Sequence, residues 1–139
     1  MKKTIRVIAL VLITSFLLTS FAVADVTRAS DYISGTTLGI TSNRSGQISL
    51  DCTVIGTNIM NRIGVDRIKI YTSSGTLVQT IYYTTSGYEY MMGYNTYIYS
   101  DTITCQVDRG NYYYAEVRFY AGNNSGGDYV TRTTSVVRT

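Results

Sequence analysis

The chain contains no histidine, no tryptophan and no proline, and it has only two cysteines. Without histidine it lacks the usual general base, the Ser/His and Cys/His nucleophile arrangements and the commonest zinc ligand. A Ser–Lys dyad would rest on Lys69, which strand parity places among exposed residues. A glycosidase pair would have to be drawn from Glu89, Asp101, Glu116 and the remaining acids, which fall on strands and turns without an evident cleft. These absences point away from an enzyme. The oxygen-rich loop Asn123–Asp128 lacks the Asp-x-Asp-x-Asp-Gly order of a calcium loop and reads as a turn, so no metal and no cofactor is expected.

Long apolar runs are scarce too. Lys2, Lys3 and Arg6 precede an apolar run from Val7 to Leu18, followed by Ala22-Val23-Ala24, which is the three-part grammar of a cleaved secretory leader. That run is shorter than the roughly 20 residues a membrane-spanning helix needs, and no second run follows. Residues 1–24 are therefore expected to be a signal peptide cleaved after Ala24. Residues 25–139 are expected to form one exported domain with no membrane anchor, extracellular or associated with the cell wall.

Removal of the leader takes away three of the twelve cations and none of the nine acids, so the remaining domain is neutral. The sequence pI of about 8.9 belongs to the whole chain and gives no reason to expect a nucleic-acid partner. In an exported protein, an even pair of cysteines most simply predicts one disulfide, here Cys52 to Cys105.

Beyond Asp25 no apolar stripe of helical period occurs. Threonine, tyrosine, isoleucine and valine dominate in segments of period two, punctuated by glycine, asparagine, aspartate and serine. In 46–55 (GQISLDCTVI), Ile48, Leu50, Cys52 and Val54 share one face, while Gln47, Ser49, Asp51 and Thr53 take the other. Ile68 and Ile70 alternate with Arg67, Lys69 and Tyr71 before Ser73-Ser74-Gly75 turns the chain into a hairpin. Ile103, Cys105 and Val107 form another inward row. So do Tyr113, Ala115, Val117 and Phe119, leaving Tyr112, Tyr114, Glu116, Arg118 and Tyr120 outside. The expected fold class is all-β: an immunoglobulin-like or fibronectin-III-like β-sandwich of about seven strands, with an up-and-down barrel as the alternative. Tyr113, after the corner Asp108–Asn111, sits where a tyrosine corner would.

Three stretches carry a family resemblance: Gly46 to Thr53, the hairpin around Ser73-Ser74-Gly75, and the succession Val107, Gly110, Tyr113, Val117, Tyr120, Gly122, Asn123. Over roughly residues 45–138 this ordering resembles small secreted β-sandwich proteins of Gram-positive bacteria to which no activity is assigned. The resemblance implies export and the sandwich fold, and it brings no site. The Tyr-rich segment 86–99 departs from the pattern.

That segment holds the candidate binding surface. In SGYEYMMGYNTYIYS (86–100), Tyr88, Tyr90, Tyr94 and Tyr97 offer flat apolar rings with polar tips, the chemistry of sugar stacking and protein recognition. The expected function is a non-enzymatic binding module for an extracellular glycan or protein. The alternative is a structural, self-assembling surface subunit whose edge strands add to neighbouring copies.

Overall fold

The computed structural model describes residues 30–139; the leader expected at 1–24 lies outside them. The fold is all-β, as the alternation predicts. Seven strands run in the order β1 (Ile33–Asn43), β2 (Gln47–Thr72), β3 (Leu77–Tyr82), β4 (Met92–Gln106), β5 (Tyr112–Asn123), β6 (Gly126–Thr133) and β7 (Val137–Arg138), with one 3-10 turn at Glu89–Met91. All pairings are antiparallel and belong to one continuous sheet.

Continuity comes from β2, which at 26 residues is far longer than an ordinary strand of about five or six. Its first half lies between β1 and β4, and its second half between β3 and β5. The chain curls between the two halves at two irregularities. One loops out residues between Ile55 and Met60 against β4; the other inserts Asp66 between Val65 and Arg67 against β5. Such bulges add twist and reset which parity faces inward. The buried set accordingly runs Ile48, Leu50, Cys52, Val54, Met60, then Ile63 and Val65, then Ile68 and Ile70. The extra residue at the second bulge is used: the Asp66 carboxylate accepts Arg118 Nε at 2.7 Å and also meets its Nη2.

The two halves of the curled sheet share one core. The expected inward rows of β2, β4 and β5 are buried in a single cluster with Ile81 and Met91, except Val107, which is half-buried just past the end of β4. Tyr113 is also buried, and its Oη donates to the carbonyl of Asp108 at 3.2 Å, five residues upstream, which is the bond of a tyrosine corner. The hairpin at Ser73-Ser74-Gly75 is present, with Gly75 at φ 89°. The chain from Tyr129 to Arg138 alternates like one strand but divides into β6 and β7. Thr134 interrupts it and ties back to Ala115 through both its main chain and its hydroxyl.

The outward tyrosines of β5 are sheet cover. Tyr114 stacks on Tyr71 at 5.2 Å, Tyr120 meets Tyr129 at 4.9 Å, and the Arg138 guanidinium lies 5.7 Å over Tyr112. Cation–π and aromatic contacts of this kind stabilise a sheet by roughly 0.5–1.5 kcal/mol each.

The disulfide expected between Cys52 and Cys105 is corrected. Both cysteines are free thiols, and both are buried. They do occupy neighbouring strands on the core face, but Cys52 pairs with Asp101 and Cys105 pairs with Ile48. A four-residue offset separates the two α-carbons by roughly 13 Å along the strands, well beyond the ~7 Å limit for a bridge. Parity alone placed them together; register keeps them apart.

Candidate binding surface

The segment after β3 turns back over the open side of the sheet, between β3 and β4. A short relay of main-chain bonds shapes it: Thr85 N–H to Tyr82 O (2.9 Å), Tyr88 N–H to Thr85 O (2.9 Å) and Met91 N–H to Tyr88 O (3.0 Å). Glu89 closes the turn by accepting the Gly87 N–H at 2.9 Å. The turn drives Met91 and Met92 into the interior, where the Met91 carbonyl lies against Gly64. A β-carbon at Gly64 would fall on that oxygen, so glycine is what permits the close approach.

This plug separates the four tyrosines singled out from the sequence. Tyr88 is half-buried against the core, stacks on Tyr90 at 6.3 Å and donates its hydroxyl to the Thr104 carbonyl at 3.3 Å. Desolvation raises the pKa of Tyr88 and of Tyr90. Tyr88 is therefore an anchor of the cap, with Tyr90 as its partially exposed partner. Tyr94 and Tyr97, each 57% exposed, project without any ring partner among the described residues.

Their surroundings include residues that the sequence reading did not single out. Asn95 takes a left-handed φ of 52°, which re-aims β4 between the two tyrosines. On β2, the looped-out residues following Ile55 present Ile59, which is 69% exposed. Gly56 allows that loop to close, because a β-carbon there would lie 2.9 Å from both Asn58 O and Met60 Cγ. Thr57 holds it from outside, its N–H and hydroxyl donating to Tyr32 O and Asp31 O at 3.0 and 2.9 Å. Ile55 and Ile98 are direct cross-strand partners, and both are exposed. Tyr94, Tyr97, Ile98, Ile55 and Ile59 are thus exposed residues flanking the bulge in the β2–β4 ladder. Toward Gln47 the solvent face that carries Ile55 and Ile98 becomes polar, with Thr53 bonded to Ser100 and Thr102 bonded to Asp51. Ile55 was legible in principle, as an apolar residue on the wet parity of its strand.

Beneath the cap lies Tyr99, buried, with its hydroxyl left without a hydrogen-bond partner. Burial, reinforced by Asp101 and Cys52, raises its pKa strongly. The thiols below are likewise pushed up by burial, each to about 12.

The acids considered as a catalytic pair have structural contacts. Glu89 caps Gly87, Asp101 accepts the N–H of Thr102 at 2.8 Å, and Glu116 pairs with Arg67 at 3.4 Å. The loop considered for calcium is a local turn in which Asn123 Oδ1 accepts the Ser125 N–H, while Asp128 accepts the hydroxyl of Ser30 and the N–H of Asp31.

Comparison with protein-family models, with curated proteins and with solved structures returns no match to this chain.

Proposed function

We propose that the chain is a non-enzymatic binding module that acts outside the cell, recognising an extracellular glycan or protein through the exposed residues flanking the bulge in the β2–β4 ladder. The observation that carries this reading is the exposure of Tyr94, Tyr97, Ile55, Ile59 and Ile98 around one bulge, while the outward tyrosines of β5 are engaged with sheet neighbours. Large flat side chains with few rotatable bonds lose little entropy on docking, so a small exposed set of them is suited to recognition. Placement outside the cell rests on the leader-like grammar of residues 1–24. The curled sheet is read as an immunoglobulin-like or fibronectin-III-like sandwich, supported by the tyrosine corner at Tyr113.

The test is retention of the purified chain on intact bacteria, isolated cell wall and a glycan array, beside a Tyr94→Ser/Tyr97→Ser variant. Tyr88 and Tyr90 stay in place because they hold the cap. The parent is expected to bind and the variant to lose binding while keeping its circular dichroism spectrum. Equal retention of both proteins would remove the surface from the proposal.

A further inference from the structure

A second feature lies on turns outside the candidate surface. A cavity of about 600 Å³ is lined by Arg44, Arg109, Gly110, Arg138 and Thr139. The three arginines come from three separate pieces of chain: the β1–β2 turn, the β4–β5 corner and β7. Main-chain bonds draw these pieces together. Val107 N–H donates to Gly46 O at 2.8 Å, Gly110 N–H to Thr139 O at 2.6 Å, and Thr139 N–H to Asn111 O at 3.0 Å. The Ser42 hydroxyl donates to Arg138 O at 2.5 Å and the Thr139 hydroxyl to Asp108 O at 2.7 Å.

The guanidiniums are placed without forming ion pairs among the described residues. Arg109 is steadied through Nε, which donates to Ser45 O at 3.1 Å, and Arg138 rides over the Tyr112 ring. Arg44 makes no side-chain hydrogen bond or ion pair among the described residues. The two ion pairs formed there, Arg67–Glu116 and Arg118–Asp66, involve other arginines. Asp108 precedes Arg109, yet its side chain is not among those lining the cavity. Guanidiniums gathered on one cavity with no carboxylate at ion-pair distance repel one another, and a multivalent anion relieves that repulsion.

We propose that the Arg44–Arg109–Arg138 cavity binds a phosphate-bearing ligand. Arginine forks match phosphate oxygens in paired, charge-assisted hydrogen bonds. A tetrahedral group can be approached from several directions at once, as three arginines on three chain segments require, whereas a planar carboxylate presents two oxygens in one plane. The site does not depend on the tyrosine surface.

The experiment is calorimetric titration of the full chain with inorganic tripolyphosphate at low ionic strength, with citrate as a carboxylate comparison. One tripolyphosphate per chain is expected, weakening as salt is added. Arg44→Gln, which disturbs no structural bond, is expected to weaken binding about tenfold, the usual scale for losing one charge-assisted contact. Arg109→Lys keeps the charge but loses the fork, and is expected to weaken it by a smaller factor. Arg132→Gln is the control, since Arg132 bonds Thr36 Oγ1 at 3.0 Å and does not line the cavity. It should leave affinity unchanged, as should Tyr94→Ser/Tyr97→Ser. Absence of saturable binding, citrate binding as tightly, or an equal loss in either control would overturn the assignment.

Discussion

The state of Cys52 and Cys105 offers the sharpest check on the register of β2 against β4. A bridge closing their loop of roughly fifty residues would contribute about 4 kcal/mol in the chain-entropy account. Composition and the expected leader favour that bridge, and register opposes it. To bring the two α-carbons within bridging distance, β4 would have to slide four residues along β2, breaking the whole ladder from Gln47 to Ile55. Both thiols are therefore expected to be free and hidden. Burial moves each pKa from 9.0 to about 12, so the reactive thiolate is about a thousandfold scarcer than for an open cysteine at the same pH. A chromogenic disulfide reagent should react slowly with the native chain. After denaturation without reductant it should reveal two thiols per chain. The same burial predicts alkaline sensitivity with a definite sign. Between pH 9.0 and about 12 the unfolded chain releases thiol protons that the folded chain keeps, so stability is fully present below 9.0 and declines as pH rises through that window. If the denatured, unreduced chain shows no thiols, and reductant lowers its midpoint of unfolding, the four-residue offset is wrong.

Four further outcomes follow from single contacts. Tyr99→Phe removes a buried hydroxyl that has no partner, and is expected to be neutral or stabilising by about 1 kcal/mol in denaturant unfolding; a loss above that scale would mean the hydroxyl is bonded. Tyr113→Phe deletes the corner bond to Asp108 and should cost about 1–2 kcal/mol in the same assay, whereas no change would discount the corner. Gly64→Ala drives a methyl into the Met91 carbonyl and should cost about 2–3 kcal/mol and loosen the cap, read as faster amide exchange at Met91 and Met92. Asp101→Val frees the Thr102 N–H and removes a charge from the outer strand, so sedimentation of the variant should become concentration-dependent while that of the parent does not.

The faces of the strands were readable because side chains alternate with period two. Ile48, Leu50, Cys52 and Val54 are buried as expected, and so are Tyr113, Ala115, Val117 and Phe119. The same periodicity is silent about sliding. A shift by four residues preserves every inward and outward assignment, which is why two cysteines of correct parity still miss each other. Strand continuity was illegible for a related reason. Gly56, Asn58, Asn61 and Gly64 look like the punctuation of a turn, yet β2 passes through them, absorbing the irregularity as a bulge and a close approach to Met91. At the candidate surface, tyrosine composition identified the segment but not which rings stay free. That is decided by the 3-10 turn, which folds Tyr88 inward, and by the left-handed Asn95. Arg44, Arg109 and Arg138 are distant in sequence, and only the main-chain bonds at Gly46, Gly110 and Thr139 bring them to one cavity.

An assembly built on edge strands would need main-chain groups open to a neighbour, and along β4 from Ile98 to Thr104 half of the outward ones are already occupied. Antiparallel pairing with β2 turns the N–H and C=O groups of Ile98, Ser100, Thr102 and Thr104 away from the ladder. Ile98 uses both of its groups on Thr96 Oγ1, Thr102 gives its N–H to Asp101, and Thr104 gives its carbonyl to the Tyr88 hydroxyl. Asp101 also sits on the core-facing parity between buried Tyr99 and Ile103, where an incoming apolar strand would meet a charge. Inward-pointing charge and local capping are recurrent ways of keeping a strand edge single. On the opposite side of the gap, β3 leaves Val78 and Thr80 facing out, while Tyr82 is capped by Thr85 Oγ1 at 3.2 Å. Two residues provide few main-chain bonds for a docked strand. A partner of this sheet therefore gains more from the side chains around the bulge of β2 and β4 than from the β3 and β4 edges, and assembly by strand addition would have to use β1 or β6, each of which pairs on one side only.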